Sequence, residues 1–588
     1  MPDFLVFFMF VVFYCAITVF HEPWFDEAQA WQIGKCASLH DLLFEIPHYE
    51  GHPPFWSILL AIPAKVGVPF EWGLKGIGFL ISTASVYVIL FKTHYPRVMR
   101  LILPFTYFIF YQYGIIVRPY GLMMLFFLLL SISFPTRHEK PLLFIVLLMG
   151  LCLTGAYAIV MSGGIAICYL WEILKEKGIK KTLRGILTDR RTLALSALLL
   201  LAILLVLEIM PRSDTYVPLK TNANNPFLLC LTAAFFTFLG ESTLTTGSWF
   251  SQDRLLLQQV YINTKELIAF SILGVILWIV LVSISSKKLI KYLLIPYILF
   301  AFFASAVYFS VHHIGVVYIL LMFWLGILFQ DPDRYEIGQK WIIVLSKTER
   351  DKLLFKYAVL LIGTACLLVP VYWNIFACFQ DIQKDYSCGT TVAKWIRDNN
   401  LENCRFLNVW GRGSLDKDAT EEEILLHTNT YMVGMPVEIS AYFNHNICMN
   451  LNFGHDDEAY IHHKMATVDD NKAALIRWRE SGIPDILLQK PMLKDIYGDK
   501  ISYEDFSLVL ILPEHRIWKN LSQPAYTPVY ARKDIMEKYG LKPIQDKGFE
   551  YYINGFQITD EMKQQYENGV PVEEILKPYL DAIFGEEK

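Results

Sequence analysis

Long apolar stretches with almost no charge alternate with short polar ones up to about Phe379, and beyond Gln380 charge returns at the density of a soluble domain. Eleven stretches have the length and character of membrane spans: 4–20, 73–91, 101–116, 119–134, 141–156, 158–172, 192–210, 266–284, 292–309, 314–329 and 354–377. Two others, 55–67 and 226–240, are shorter. The first would cover roughly 20 Å of a hydrocarbon core about 30 Å thick, and it contains Pro63 and Lys65. Both are expected to be interfacial or re-entrant helices. In the tail the pattern changes to helices over 391–398 and 471–480 and strands over 405–409, 485–488 and 507–512. The expected architecture is an α-helical polytopic membrane protein of about eleven spans, residues 1–379. It is followed by a C-terminal extracytoplasmic α/β or α+β domain, residues 380–588.

Composition agrees. Of 588 residues, 54% are hydrophobic and 18% charged, against about 25% charged in an ordinary soluble domain. Mean hydropathy is +0.37. A net charge of −4 and a pI near 6.4 offer no basic field and exclude nucleic acid as a partner. Most of the ten cysteines lie in apolar segments, no C-x-x-C occurs, and the tail has the odd set Cys388, Cys404 and Cys448. No disulfide framework is implied. The apolar run from Phe4 to Phe20 lacks a basic leader and a small-residue cleavage site, so it reads as a retained first helix.

Basic residues set the orientation. With eleven spans, one side receives twenty-one Lys and Arg, including the cluster from Lys175 to Arg191, and the other side receives seven. By the positive-inside rule the N-terminus is cytoplasmic. Loops 21–72 and 211–265 and the tail are then external, and the expected location is the plasma membrane as a multi-pass protein.

The spans are nearly free of ionisable residues, unlike those of ion-coupled transporters. Polar chemistry gathers instead beside the membrane on the external side. The densest run is His21-Glu22-Pro23-Trp24-Phe25-Asp26-Glu27, then Glu50-Gly51-His52-Pro53-Pro54-Phe55. Pro23 suits the first turn of a helix, and acids are favoured there by its dipole. Asp26 and Glu27 point about 100° apart on such a helix, so only one can face a shared cavity. A carboxylate at a water–lipid boundary can act as a general base on a hydroxyl; the same acids could merely cap the helix. In the tail, Gly454-His455-Asp456-Asp457-Glu458 and His462-His463 are dense in potential ligands but lack any established metal spacing. No metal site and no cofactor is expected.

The Asp-Glu-Ala element after the first span, followed by Gly-His-Pro-Pro-aromatic, resembles the GT-C superfamily of polyprenyl-phosphate-sugar-dependent glycosyltransferases. That superfamily includes protein O-mannosyltransferases and lipid A aminoarabinose transferases. Tyr111-Gln112-Tyr113-Gly114 with Arg118-Pro119-Tyr120-Gly121 resembles a second external motif, and Val311-His312-His313-Ile314-Gly315 a late His-His-Gly element. The likeness covers roughly residues 1–377. The relatives carry an Arg just before the His pair, where this chain has Val311.

The resemblance implies inverting transfer of a sugar from a polyprenyl-phosphate donor to a hydroxyl of a glycan, lipid or protein acceptor, at the lipid surface. Asp26 would be the base, and Glu27 would face water or a stabilising cation. Arg118 would grip the phosphate, since a guanidinium can form two parallel bonds to it, with His312, His313 and Tyr120 as further donor-binding groups. His52, Trp24 and Tyr113 would contact substrate. Two alternatives stand beside this reading. A non-enzymatic transporter or flippase of lipid-linked saccharides would need midplane charges or broken helices, and a membrane-anchored binding module would need only one span.

Overall fold

The computed structural model describes residues 2–186, 188–215, 226–245, 264–309, 313–345 and 348–408. Beyond these it describes mainly 434–443, 445–448, 460–461, 464–465, 467–488, 497–514 and 525–544. It is mostly helical and divides into two compact units. One comprises Met1–Gln383 with Tyr460–Met465, the other Lys384–Ala459 with Ala466–Lys588.

In the first unit, seven helical segments among the described residues are long and apolar enough to cross a membrane. They include α1 (Pro2–Phe20), α6 (Phe70–Phe91), α8 (Pro119–Ser133), α10 (Ala156–Lys177), α12 (Arg190–Glu208) and α18 (Glu349–Gln383). The seventh is Phe227–Leu244, which extends α13 (Phe227–Gly240) and so exceeds the short stretch expected over 226–240. The shorter apolar stretches are α5 (Phe55–Lys65), α9 (Pro141–Cys152), Ile268–Ile284 within α14 (Thr264–Ile284), α15 (Lys291–Ala306) and α16 (Gly315–Leu328). Their burial suits a bilayer. Nearly all of α16 is buried, whereas Leu199, Leu200, Leu204 and Leu207 of α12 and Leu360 and Leu361 of α18 are exposed. Apolar side chains turned outward along whole helices fit a lipid solvent, not water.

The span expected over 101–116 is not a straight helix. It runs as α7 (Arg97–Ile102), a 3-10 turn at Leu103–Phe105 and a π-helical stretch at Phe108–Ile115. Pro104 lacks an amide hydrogen and interrupts the α ladder. The wider stretch that follows closes with the Ile116 amide donating to the Tyr111 carbonyl at 3.0 Å. This irregular backbone delivers Val117 and Arg118 to the site.

Helix ends are tied at two levels. At one, Glu172 near the end of α10 takes Arg137 at 2.9 Å, His138 at 3.1 Å and Lys291 at 3.0 Å, while Arg191 pairs with Glu176 at 2.7 Å. At the other lie the end of α1, the heads of α8, α10 and α16, and the ends of α12 and α18. There α2 (Phe25–Cys36), α3 (Leu39–Phe44), α4 (Ile46–Glu50) and α5 form a layer. That layer is pinned by Arg212 on Glu45 at 2.6 Å, by the Tyr49 hydroxyl donating to Asp214 at 3.0 Å, and by His48 on the Met210 carbonyl at 2.7 Å.

The second unit holds a four-stranded sheet in the order β1-β2-β4-β3, with β1 (Phe406–Leu407), β2 (Ile486–Leu488), β3 (Phe506–Glu514) and β4 (Ala525–Arg532). Strands β1 and β2 pair in parallel, and β4 pairs antiparallel with both β2 and β3. Helices run over Gly389–Asp398 and Val468–Glu480. Asp485 clamps three strands by taking Arg405 at 3.0 Å and Arg532 at 3.2 Å. Strand β4 was not anticipated from its pattern.

A tight helix contact gives a test. A methyl group at Gly164 of α10 would stand 2.7 Å from Pro296 Cα of α15, whereas one at Gly163 meets nothing within 4 Å. Gly164→Ala should therefore destabilise by about 1–3 kcal/mol. Gly163→Ala should be neutral or stabilising, since Ala is favoured over Gly in a helix by about 1 kcal/mol. Thermal unfolding of the detergent-purified protein should separate the two. Equal midpoints would refute the tight α10–α15 contact.

Candidate functional site

The site begins where α1 ends. The α2 helix starts at Phe25 with Trp24 as its N-cap, so Pro23 lies just before the helix and not within its first turn. Asp26 and Glu27 still occupy that turn, and their side chains diverge. Asp26 Oδ2 lies 3.2 Å from an Arg118 guanidinium nitrogen, and the other terminal nitrogen donates to the Asp26 carbonyl at 2.7 Å. Both side chains remain partly open, 21% and 16% exposed respectively. Arg118 precedes Pro119, which holds it extended as the N-cap of α8 and points it away from the helix.

Glu27 does not face water. It is buried, and its Oε1 accepts from the Val117 amide at 2.6 Å while Oε2 accepts from the Trp24 amide at 3.1 Å. The cation beside it is His21, whose Nε2 lies 3.6 Å from Oε2. The other ring nitrogen of His21 pairs with Asp381, near the end of α18, at 2.9 Å. Burial alone would lower the His21 pKa, but Asp381, helped by Glu27, outweighs it and pushes the imidazole up to about 9. His21 and Asp381 were not foreseen as a pair, since 360 positions separate them.

Within the fields of Asp26 and Arg118 stands Glu50, the last residue of α4, where Gly51 turns the chain with φ +64°. Its Oε1 accepts from the Gln29 amide at 3.0 Å, and Gln29 also donates to the Tyr460 carbonyl at 2.9 Å. Burial pushes the Glu50 carboxyl up to about 7; Arg118 opposes this, and Asp26 adds to it. In the sequence Glu50 is one acid among several beside Gly51-His52, because burial of an acid in a polar loop leaves no mark in the local pattern.

Tyr120, one turn into α8, is 2% exposed, and its ring packs on Tyr113 at 5.1 Å and His313 at 5.6 Å. Its buried hydroxyl has no hydrogen-bond partner among the described residues, yet it lies within the fields of Arg118 and Asp26. A hydroxyl so placed costs about 1–3 kcal/mol unless a ligand or water meets it. His313, at the head of α16, shares a hydrogen bond of 3.0 Å with the Tyr157 hydroxyl. His52 reaches the turn before α10, where a methyl at Gly155 would be 3.6 Å from its Nδ1. Trp24 and Tyr113 are buried, at 4% and 2% exposure. His312 lies outside the described residues, as do His455–Glu458 and His462–His463. Among the described residues no cluster of His, Cys, Asp and Glu suits a metal ion.

Asp26, Arg118, Tyr120, His313 and His52 thus come to one end of the bundle from four segments of the chain. With Glu50 they offer a fixed cation, a buried hydroxyl and two carboxylates. No family model, curated protein or solved structure matches this chain.

The His21 bridge makes stability depend on pH. A group whose pKa is raised by folding contributes its stabilisation in full below its unfolded value and loses it as pH rises through the folded value. The thermal midpoint should therefore fall as pH rises from about 6.5 to about 9. His21→Gln should lower the midpoint at pH 6.5 and flatten the dependence. A wild-type profile that matches the variant's would contradict the bridge.

Proposed function

We propose that the chain is an integral-membrane glycosyltransferase. It moves a sugar from a polyprenyl-phosphate donor to an acceptor hydroxyl of a glycan, lipid or protein, with inversion, on the extracytoplasmic face. The observation that carries this reading is that residues of the four motif groups gather at the bundle end that holds the Asp26–Arg118 pair. Residues far apart in sequence, and quoted for one family likeness, meet at one end of an apolar bundle.

The chemistry of each group fits. A lipid phosphate lies at a membrane boundary, and departure of the sugar leaves a second negative charge on it. Arg118 supplies a permanent cation in a fork suited to phosphate, and the Tyr120 hydroxyl is buried and available to donate. Preorganised donors aimed at developing charge are an effective catalytic device. The reaction also needs a base for the acceptor hydroxyl; the family likeness points to Asp26.

Orientation rests on the basic asymmetry of the loops, which puts the N-terminus in the cytoplasm and the C-terminal domain outside. The reading keeps eleven crossings, with α13 packed against its neighbours on one side of the membrane. Phe227 at its start stacks on Phe302 at 5.3 Å, Phe238 near its end stacks on Phe309 at 4.4 Å, and the Leu244 carbonyl accepts from Trp373 at 3.0 Å.

Two experiments test the reading. Arg118→Ala should lower turnover of a polyprenyl-phosphate-linked hexose by about 10- to 100-fold, because a hydrogen bond to a charged group contributes about 1.5–3 kcal/mol. Arg118→Lys should recover part of it, as a point charge without the fork. Unchanged turnover in Arg118→Ala would exclude the phosphate role. For sidedness, an impermeant thiol reagent applied to whole cells should label Lys472→Cys and not Lys180→Cys. The reverse pattern would overturn the orientation.

A further inference from the structure

Three carboxylates lie around the proposed site, and their oxygens are committed differently. Glu27 uses both oxygens on backbone amides, at 2.6 and 3.1 Å, and is buried. Asp26 is held twice by Arg118, through its carboxylate at 3.2 Å and its carbonyl at 2.7 Å. Arg118 thus holds Asp26 in place, and Asp26 holds Arg118. Glu50 differs. One oxygen is fixed by the Gln29 amide at 3.0 Å, and the other accepts no hydrogen bond among the described residues.

The support beneath Glu50 is rigid. Gln29 is anchored on the Tyr460 carbonyl at 2.9 Å, and the neighbouring Tyr49 hydroxyl is anchored on Asp214 at 3.0 Å. A base needs such positioning, a free lone pair and a basicity near the working pH.

We propose that Glu50 is the base that takes the proton from the acceptor hydroxyl, while Asp26 is a positioning residue that holds Arg118. This deepens the transferase reading and rests on it. In the step, the acceptor O–H proton passes to the free Glu50 oxygen as the acceptor oxygen bonds to the anomeric carbon. The bond from that carbon to the phosphate oxygen breaks, its electron pair stays on the phosphate, and Arg118 meets the added charge. Glu50 then returns the proton to water.

The charged groups acting on Glu50 are Arg118 at the head of α8 and Asp26 on α2, with the Gln29 amide as its hydrogen-bond donor. Burial raises the carboxyl to about 7 against the pull of Arg118. A base must be ionised to act, so activity should rise with pH through about 7.

The test uses the full chain reconstituted in liposomes, with a polyprenyl-phosphate-linked radiolabelled hexose as donor and octyl glucoside as acceptor. Glu50→Gln keeps an acceptor oxygen for Gln29, so the protein should remain monodisperse. Its kcat should fall by about 10²- to 10⁴-fold, and the rising limb near pH 7 should vanish. Glu50→Asp should restore part of the rate, with a limb at shifted pH. Asp26→Asn should raise KM for the donor more than it lowers kcat, and should keep the limb. Wild-type kcat and an intact limb in Glu50→Gln would overturn the assignment of the base alone. A wild-type protein that transfers no hexose from this donor would overturn the transferase reading, and the base with it.

Discussion

The buried ionic chain from Asp381 through His21 to Glu27 is the constraint on which the rest of the site depends. His21 sits between two carboxylates with almost no exposure, 2.9 Å from one and 3.6 Å from the other. Removing one partner from such an arrangement is strongly destabilising, since it strands a charge away from water. Held in this way, the end of α1 is fixed against the end of α18. Glu27 carries the constraint onward through its bond to the Val117 amide, which sets the backbone just before Arg118. Arg118 is therefore placed by a network that it does not join directly.

The two acids next to each other in sequence divide the labour. Glu27 turns inward and works on backbone amides; Asp26 turns toward the opening and meets the guanidinium. The same layer carries Glu50 on a short helix closed by Gly51, and the heads of α8, α10 and α16 bring Tyr120, Tyr157 and His313. The opposite end of the bundle is arranged otherwise. There Glu172 gathers Arg137, His138 and Lys291, so that its cations are matched by an acid within the protein. The site end keeps the buried Tyr120 hydroxyl, which nothing among the described residues satisfies.

Much of this was legible in the sequence, for identifiable reasons. Apolar segments announce themselves because each must shield its own backbone in lipid, and most of the expected stretches are helices close to the expected bounds. Asp26 and Arg118 were singled out by motif, and they do meet. The 100° separation of Asp26 and Glu27 correctly set them on different sides, but it carries no information about what each side faces; Glu27 faces protein. The His21–Asp381 pair, the breaking of the span at Pro104 and the burial of Glu50 all depend on contacts between distant segments. Local periodicity does not encode such contacts. The length of Phe227–Leu244 was underestimated for a related reason: its apolar run fades into the polar Glu241-Ser242-Thr243, while tertiary packing keeps the helical winding going.

The central claim is that a lipid-linked phosphate binds beside Arg118. Cryo-electron microscopy of the full chain in nanodiscs containing a polyprenyl phosphate tests it most directly. The account predicts a phosphate within hydrogen-bond distance of the Arg118 guanidinium and the Tyr120 hydroxyl, with the lipid tail leaving between helices. A headgroup at the opposite end, among Arg137, Arg191 and Lys291, would contradict it.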